Sequence, residues 1–468
     1  MKNGERRTVV PFFVVAAVVA YLGLFFFSLL PSLALGGAET PTRSGFLASR
    51  LLLVEKLIEA WFDDFSLDGL VQRAAVLVAA VAMLAVAGAA DDVLTRRPRL
   101  DAGLDRLERF AFSLGIGLAA VSLYTLLVGL AGGIHNRWWF ITPSVGVLVA
   151  FVYVVVRHRN DGNNGAGGEA PPVASEGNDS PLGSRWLWLG LPFCLVILFG
   201  SMLPPIEFDV LEYHLQAPKE FFQAGRIEFL PHNVYGNMPL GAEMFSLAAM
   251  AISGDWWWGA LVGKTVIGTF APLTALSLFA AGRRFFSVGV GVVAALAYIS
   301  TPWIVQVSSV GLIDAVYGFY LFMAVYAVLL WSEFHTRWIF LAGLFAGAAA
   351  AVKYTALPFV VAPMAVGIFI IGRHRFQIGW KSGMGLVVTF LIAAMLVGGA
   401  WYFKNWVQSG NPVYPMMHAV FDGRSWSDAK AERWRNVHRP TGFSAVKMAP
   451  PVAHESEATR LSEAARPS

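Results

Sequence analysis

Residues 186–222 read "WLWLGLPFCLVILFGSMLPPIEFDVLEYHLQAPKEFF". The first half is an apolar run of the kind that crosses a membrane as a helix, which takes about 20 mostly apolar residues. Pro204 and Pro205 end it, because proline removes a backbone donor and clashes with the preceding turn. The second half then gathers Glu207, Asp209, Glu212 and Glu220 beside Tyr213 and His214. A carboxylate-rich loop at the point where a helix leaves the membrane is the feature the rest of the sequence must account for.

The composition agrees with a membrane chain. Of 468 residues 56% are hydrophobic and 14% charged, against roughly 25% charged in soluble domains. The formal net charge of +4 gives no case for nucleic-acid binding. The single cysteine, Cys194, lies in an apolar run. It excludes an intramolecular disulfide and a cysteine metal cluster, and it reads as a small packing residue.

Working outward, residues 9–35 form a first apolar run behind Lys2, Arg6 and Arg7. The run is too long for a signal-peptide core and reads as an uncleaved anchor. Further runs begin near Ala74, Phe110, Trp139, Trp186, Trp256, Val288, Asp314, Trp338, Ala356 and Gly383. The expectation is an all-α polytopic membrane protein with about eleven transmembrane helices. The basic stretches at Arg6–Arg7, 91–110, Arg157–Arg159, 282–286 and 372–381 then fall on one side. The positive-inside rule makes that side the cytoplasm. The chain is thus expected in the cytoplasmic membrane, with a cytoplasmic N-terminus and both the 204–238 loop and the C-terminus on the outer face. "PLGAEMFSLAAMAIS" (239–253) breaks this parity as a full crossing, so it is expected as a short helix in or dipping into the outer interface.

Residues 157–185 are rich in Gly, Asn, Pro and Ser and read as a flexible linker. Four domain-level segments follow: an N-terminal four-span region (1–156), the linker (157–185), a membrane core (186–404) and a short outer tail (405–468). Within the loop, a helix is expected from Asp209 to Ala217, interrupted by Pro218. Asp209, Glu212, Tyr213 and Gln216 would share one face of it. That arrangement makes the loop an amphipathic helix at the outer surface, its carboxylates in water but within reach of a lipid headgroup. A solvated acidic turn is the plainer alternative.

Beyond composition, residues 207–245 resemble the first outer loop of the GT-C superfamily of integral-membrane glycosyltransferases. They are most similar to the bacterial lipid-carrier-dependent branch, related to the protein mannosyltransferases and aminoarabinose transferases. The acid, the Tyr-His pair that follows it and the Pro-led helix come in the family's order. So do "STPWIVQVSSVGLIDAVYGFYLF" (300–322), "AGAAAAVKYTALP" (346–358) and "KNWVQSGNPVYPM" (404–416). The resemblance covers about residues 186–416. It departs from the family in the four spans before the core and in the short tail.

The resemblance implies an inverting transfer of a sugar from a polyprenyl-phosphate-linked donor to a glycan, lipid or protein acceptor, among membrane lipids. It implies Asp209 as the base, with Glu207 and Glu212 as second choices for metal binding or acceptor orientation. Asp314, at the start of a span, is either a helix cap favoured by the dipole or a second acid of the cavity. Lys353, the one cation placed inside the core near its outer end, is either a snorkelling lysine or a contact to the carrier phosphate. Arg226 and Lys219 are alternative phosphate partners. Tyr213 and His214 are expected near substrate. A divalent metal ion is left open as a cofactor, though His214 and His232 match no standard zinc spacing. The Trp256–Trp258 run reads as an interfacial anchor or a sugar-stacking platform. A transporter or lipid flippase, with acids coupling ions, and a non-catalytic scaffold remain the other readings.

Overall fold

The structure, a computed structural model, describes residues 53–62, 66–95, 103–162, 183–331 and 337–438, with a few isolated positions between 19 and 45. The expected first span (9–35) lies almost wholly outside the described residues, as do most of the linker and the end of the tail. Residues Val54–Asp428 form one compact unit, and Met1–Leu53 with Ala429–Ser468 form another. The described part of the second is essentially one helix, in which Trp434 stacks on His438 with centroids 3.9 Å apart.

Within Val54–Asp428 the regular structure of the described residues is all helix, with no strand. In chain order the helices are α1 (Leu53–Phe62), α2 (Leu67–Thr95), α3 (Arg106–Leu130), α4 (Trp138–Gly162) and α5 (Leu191–Ser201). After the acidic loop come α6 (Gln216–Ala224), α7 (Met244–Ser253), α8 (Trp256–Gly268) and α9 (Phe270–Phe285). Then follow α10 (Val288–Ile299), α11 (Pro302–Val310), α12 (Asp314–Trp331), α13 (Arg337–Val352), α14 (Ala362–His374) and α15 (Trp380–Ser409). Among the described residues eight helical segments are long and apolar enough to cross a membrane, or nine if the α10–α11 pair, bent by 57° between Ile299 and Pro302, is taken as one span. The expected count of about eleven is therefore not reached among the described residues. One reason is α13, whose 16 residues span only about 24 Å.

The buried middle of the bundle is formed by α3, α7, α8, α9, α12 and α13. Phe112 on α3 meets Tyr326, Trp338 and Phe345 at 5.4, 5.5 and 5.6 Å. Helix α3, which precedes the linker, is thus packed into the same core as the helices that follow it. Its first turn explains the attachment. Asp105 caps Leu107 N and Glu108 N, and Glu108 returns a bond to Asp105 N. Both acids also pair outward: Arg283 binds Asp105, while Arg284 and the Tyr326 hydroxyl bind the fully buried Glu108. A carboxylate is tolerated at that depth because its oxygens accept from the Arg284 guanidinium, the Tyr326 hydroxyl and the Asp105 backbone N–H.

Helices α13 and α15 pack backbone to backbone. A Cβ on Gly347 would come within 2.2 Å of Ala394 O, and one on Gly398 within 2.8 Å of Gly347 O. The outer helices α2, α4 and α14 bury little of their length and turn Val149, Val152, Tyr153 and Val366 outward. Such surface has no place in water and suits hydrocarbon. The segment expected as an interfacial helix does form a short one, α7. Its residues Met244–Ala251 are all buried in protein, so it is a core element and does not lie along a lipid surface.

The orientation can be checked by cysteine labelling in a Cys194→Ser background. Asn237 would be a poor outer reporter, since its side chain is buried and bonded to Leu230 and Asn233. Ile206, 82% exposed in the same loop, is better. Cysteines at Gly162 and Ile206 are expected to react from opposite faces, Gly162 from the cytoplasm. Labelling of both from one face would overturn the assigned sidedness.

Candidate functional site

The loop leaves α5 through Pro204 and Pro205 and does not continue as the single helix expected from Asp209 to Ala217. Residues Val210–His214 form a π turn, closed by Leu215 N donating to Val210 O at 2.9 Å. Helix α6 starts afresh at Gln216, with Pro218 inside its first turn. Pro218 interrupts nothing there, because the first-turn N–H groups have no intrahelical partner to lose. The wider π turn changes which residues share a face. His214 turns inward and is buried, whereas Asp209 and Glu212 stay exposed. Gln216 leaves the expected acidic face and donates to Glu220 Oε1 at 2.8 Å. Single π turns recur at functional sites because they re-aim side chains in this way.

What the turn aims at is an aromatic pair. The Tyr213 ring stacks on Tyr235 with centroids 4.9 Å apart and 21° between planes, and it touches the His214 ring at 4.1 Å. Burial raises the Tyr213 hydroxyl pKa, and so, in decreasing order, do the nearby groups of Asp209, Glu243, Tyr235 and Asp314. The Tyr235 hydroxyl is raised by burial and then by Glu212 and Asp209. The charges of Asp209, Glu243 and Asp314 thus act on Tyr213, and those of Glu212 and Asp209 on Tyr235. Three of these four acids were legible from the sequence.

Glu243 was not. It lies in "PLGAEMF", which reads as apolar helix, and it is fully buried. His214 Nδ1 lies 2.5 Å from Glu243 Oε1, so this bond ties the acid-bearing turn to α7. Glu243 Oε2 is buried with no hydrogen-bond partner. The missed signal was a lone carboxylate within an apolar membrane segment, a combination that generally marks function.

The second half of the site is an ion pair. Lys353 Nζ donates to Asp314 Oδ1 at 2.7 Å, with the side chains 34% and 39% exposed. Asp314 opens α12, as expected of an acid at a helix N-terminus. Lys353 follows the last residue of α13 and does not simply snorkel. It is also not the only cation inside the core. Lys264 Nζ donates to Gly200 O and Leu203 O at 3.0 and 2.8 Å, and Lys404 Nζ to Asn237 O at 3.2 Å, both side chains buried.

The remaining expected contacts fall elsewhere. Glu207 is half-buried at the entry to the turn, its carbonyl accepting from Leu211 N at 3.0 Å. Lys219 Nζ sits 4.1 Å from the centroid of the Trp256 ring, which gives that tryptophan a cation to hold. Arg226 pairs with Glu228 at 3.5 Å in the open. His232 pairs with Glu220 at 3.0 Å. Among the described residues no group of three or more His, Cys, Asp or Glu could hold a metal ion.

Residues 237–399 match the family model described as dolichyl-phosphate-mannose-protein mannosyltransferase, a GT-C type glycosyltransferase family. The matched segment contains Glu243, Asp314 and Lys353, and Asp209 precedes it. No curated protein and no solved structure matches the chain.

The His214–Glu243 pair carries its own test. Removing one partner of a buried hydrogen bond leaves the other unsatisfied at a cost of about 1–3 kcal/mol, whereas an apolar replacement of both can be near neutral. His214→Ala is therefore expected to lower thermal stability in detergent markedly. The double change His214→Phe with Glu243→Leu should cost less than His214→Ala alone. Equal or greater loss in the double variant would mean that the two side chains do not stabilise the fold through their mutual bond.

Proposed function

From a segment matching a glycosyltransferase family whose donors are lipid-linked sugars, we propose that this chain transfers a hexosyl or pentosyl group from a polyprenyl-phosphate carrier. The acceptor is a glycan, lipid or protein group on the outer face of the cytoplasmic membrane. The observation that carries the reading is the Asp314–Lys353 ion pair beside an exposed Asp209, the charges of both acids acting on Tyr213. An acid facing water and a cation facing the same region meet the two demands of the reaction.

In the proposed step an acceptor hydroxyl or amine attacks the anomeric carbon from the side opposite the phosphate. The new bond forms as the carbon–oxygen bond to the phosphate breaks, and that electron pair stays on the phosphate oxygen. The acceptor proton passes to the Asp209 carboxylate, which acts as general base. Charge building on the phosphate is stabilised by the Lys353 ammonium, a donor already positioned before the bond breaks. Glu212 and Glu207, on the same turn, orient the acceptor. Tyr213 and His214 shape the floor of the site, and Lys219 and Arg226 lie on its loop as outer cations. Acids coupling ions in a transporter are expected at mid-membrane, whereas these four cluster around a loop and a helix end.

Asp209→Asn keeps the size of the side chain and removes the base. A positioned general base contributes typically 10²–10⁴-fold, so turnover of a polyprenyl-phosphate sugar should fall by about that factor at normal expression. Turnover within a few-fold of wild type would move the base to Glu212.

Lys353→Met removes the cation and keeps the volume. The contact to a charged group is worth about 1.5–3 kcal/mol, or roughly 10- to 150-fold in affinity. Binding of a polyprenyl phosphate to the purified protein in nanodiscs should weaken by that much, with folding intact because Asp314 is left partly solvated. Unchanged affinity would shift the phosphate to Lys219 or Arg226.

A further inference from the structure

Two stretches singled out in the sequence, "AVKYTALP" and "KNWVQSGNPVYPM", are not used by the proposed chemistry except through Lys353. The structure joins them. We infer that Tyr354 and Asn405 are positioning residues that hold Lys353 on Asp314. The inference rests on the proposed reading of Lys353 as a site cation.

Helix α13 ends at Val352, one residue before Lys353. The last carbonyls of a helix have no intrahelical donor, and here donors arrive from elsewhere in the fold. Tyr402 Oη donates to Ala350 O at 3.0 Å and Gly241 N to Ala351 O at 2.8 Å. The residue after Lys353 is held at least as firmly. Tyr354 Oη donates to Tyr414 O at 2.9 Å and accepts from Asn405 Nδ2 at 2.6 Å. That uses the hydroxyl's only proton and one of its lone pairs. Tyr354 and Asn405 are both buried. Asn411, also buried, folds the turn that presents Tyr414 O, donating to Met416 O and Asp422 O at 2.8 and 2.9 Å.

Lys353 thus lies between a helix end bonded at Ala350 and Ala351 and the anchored Tyr354, and its own ion pair could not supply the same order. Both of its partners are about one-third exposed. A pair that open is screened by water and does not fix a long flexible side chain. The anchors come from the last turns of α15 and the loop after it. The same helix end also reaches the acidic loop, through Lys404 to Asn237 O and Gln408 Nε2 to Ile227 O at 3.3 Å. One helix end therefore sets the register between the base-bearing loop and the cation.

The test reads the lysine directly. The full-length protein in nanodiscs is treated briefly with an amine-reactive ester. Acylation of Lys353 is followed by peptide mass spectrometry and normalised to exposed Lys381. Tyr354→Phe removes one oxygen and keeps the ring. Asn405→Ala removes the other donor and leaves the Tyr354–Tyr414 bond in place, so one variant remains if the other fails to fold. Both are expected to raise the Lys353 acylation rate several-fold with little change at Lys381. Unchanged acylation in folded variants would overturn the inference. Binding of a synthetic polyprenyl phosphate supplies a second arm as a double-mutant cycle. Tyr354→Phe should weaken binding in the wild-type background and add nothing in Lys353→Met. Additive losses would mean a general structural effect and would also overturn it. If acylation rises while phosphate binding ignores Lys353 altogether, the positioning stands and the phosphate role of Lys353 fails.

Discussion

A helix that stops inside an apolar bundle leaves carbonyls that water cannot reach, and each must be given a donor. The site grows out of how this chain meets that requirement. At the end of α5 the donor is a buried ammonium, Lys264, whose two bonds to Gly200 O and Leu203 O set where the acidic loop begins. At the end of α13 the donors are Tyr402 and the backbone of Gly241. Gly241 has to be glycine, because a Cβ there would lie 2.7 Å from Ala351 O. The close approach places Glu243, two residues on, next to the His214 of the π turn. Satisfying backbone groups and assembling carboxylates are thus one event in this fold.

Elements written in long patterns were legible in the sequence, and those written in single residues were not. The apolar runs marked the long helices, among them α2, α3, α4, α12 and α15, but not α6 or the breaks between α8 and α9 and between α10 and α11. Pro204 and Pro205 marked the membrane exit, and Asp314 marked the start of α12. Each rests on a property summed over many residues or on proline's fixed chemistry. The π turn has no such signature, since its one extra residue per turn comes from tertiary contacts, here the burial of His214 against Glu243. Glu243, Lys264 and Lys404 escaped for a related reason. Each is one charge in a strongly apolar window, where the average hides it. A rule that every charge inside a span must name its partner would have singled out all three.

The candidate site follows the same division. Asp209, Glu212, Asp314 and Lys353 lie in short polar breaks, so they could be named in advance. Their arrangement could not, because the contacts that bring them together run between residues far apart in the chain. The Asp314–Lys353 pair spans 39 positions and the Tyr354–Asn405 bond 51. Arg226 and Lys219 illustrate the converse. Both are cations in the right loop, yet one is paired with Glu228 in the open and the other rests on Trp256.

The helices before the linker take on meaning in this frame. The resemblance to GT-C enzymes leaves them as additional spans, but the turn that follows α3 is bonded to the site loop. Ile134 N donates to Gly225 O at 3.2 Å and Ile227 N to Gly129 O at 2.9 Å, while a His135 ring nitrogen lies 2.9 Å from Phe222 O. Gly225 adopts a left-handed conformation, φ 72°, and a Cβ there would meet the His135 ring at 2.8 Å. The contact is therefore matched in shape as well as in hydrogen bonds. At its other end α3 is fastened by Glu108 to Arg284 and Tyr326. A rod anchored at one end by a buried charge network and at the other by backbone bonds to the acidic loop holds that loop, which α15 also reaches through Lys404 and Gln408. Loops are ordinarily the mobile part of a membrane protein. This one is bonded to both α3 and α15.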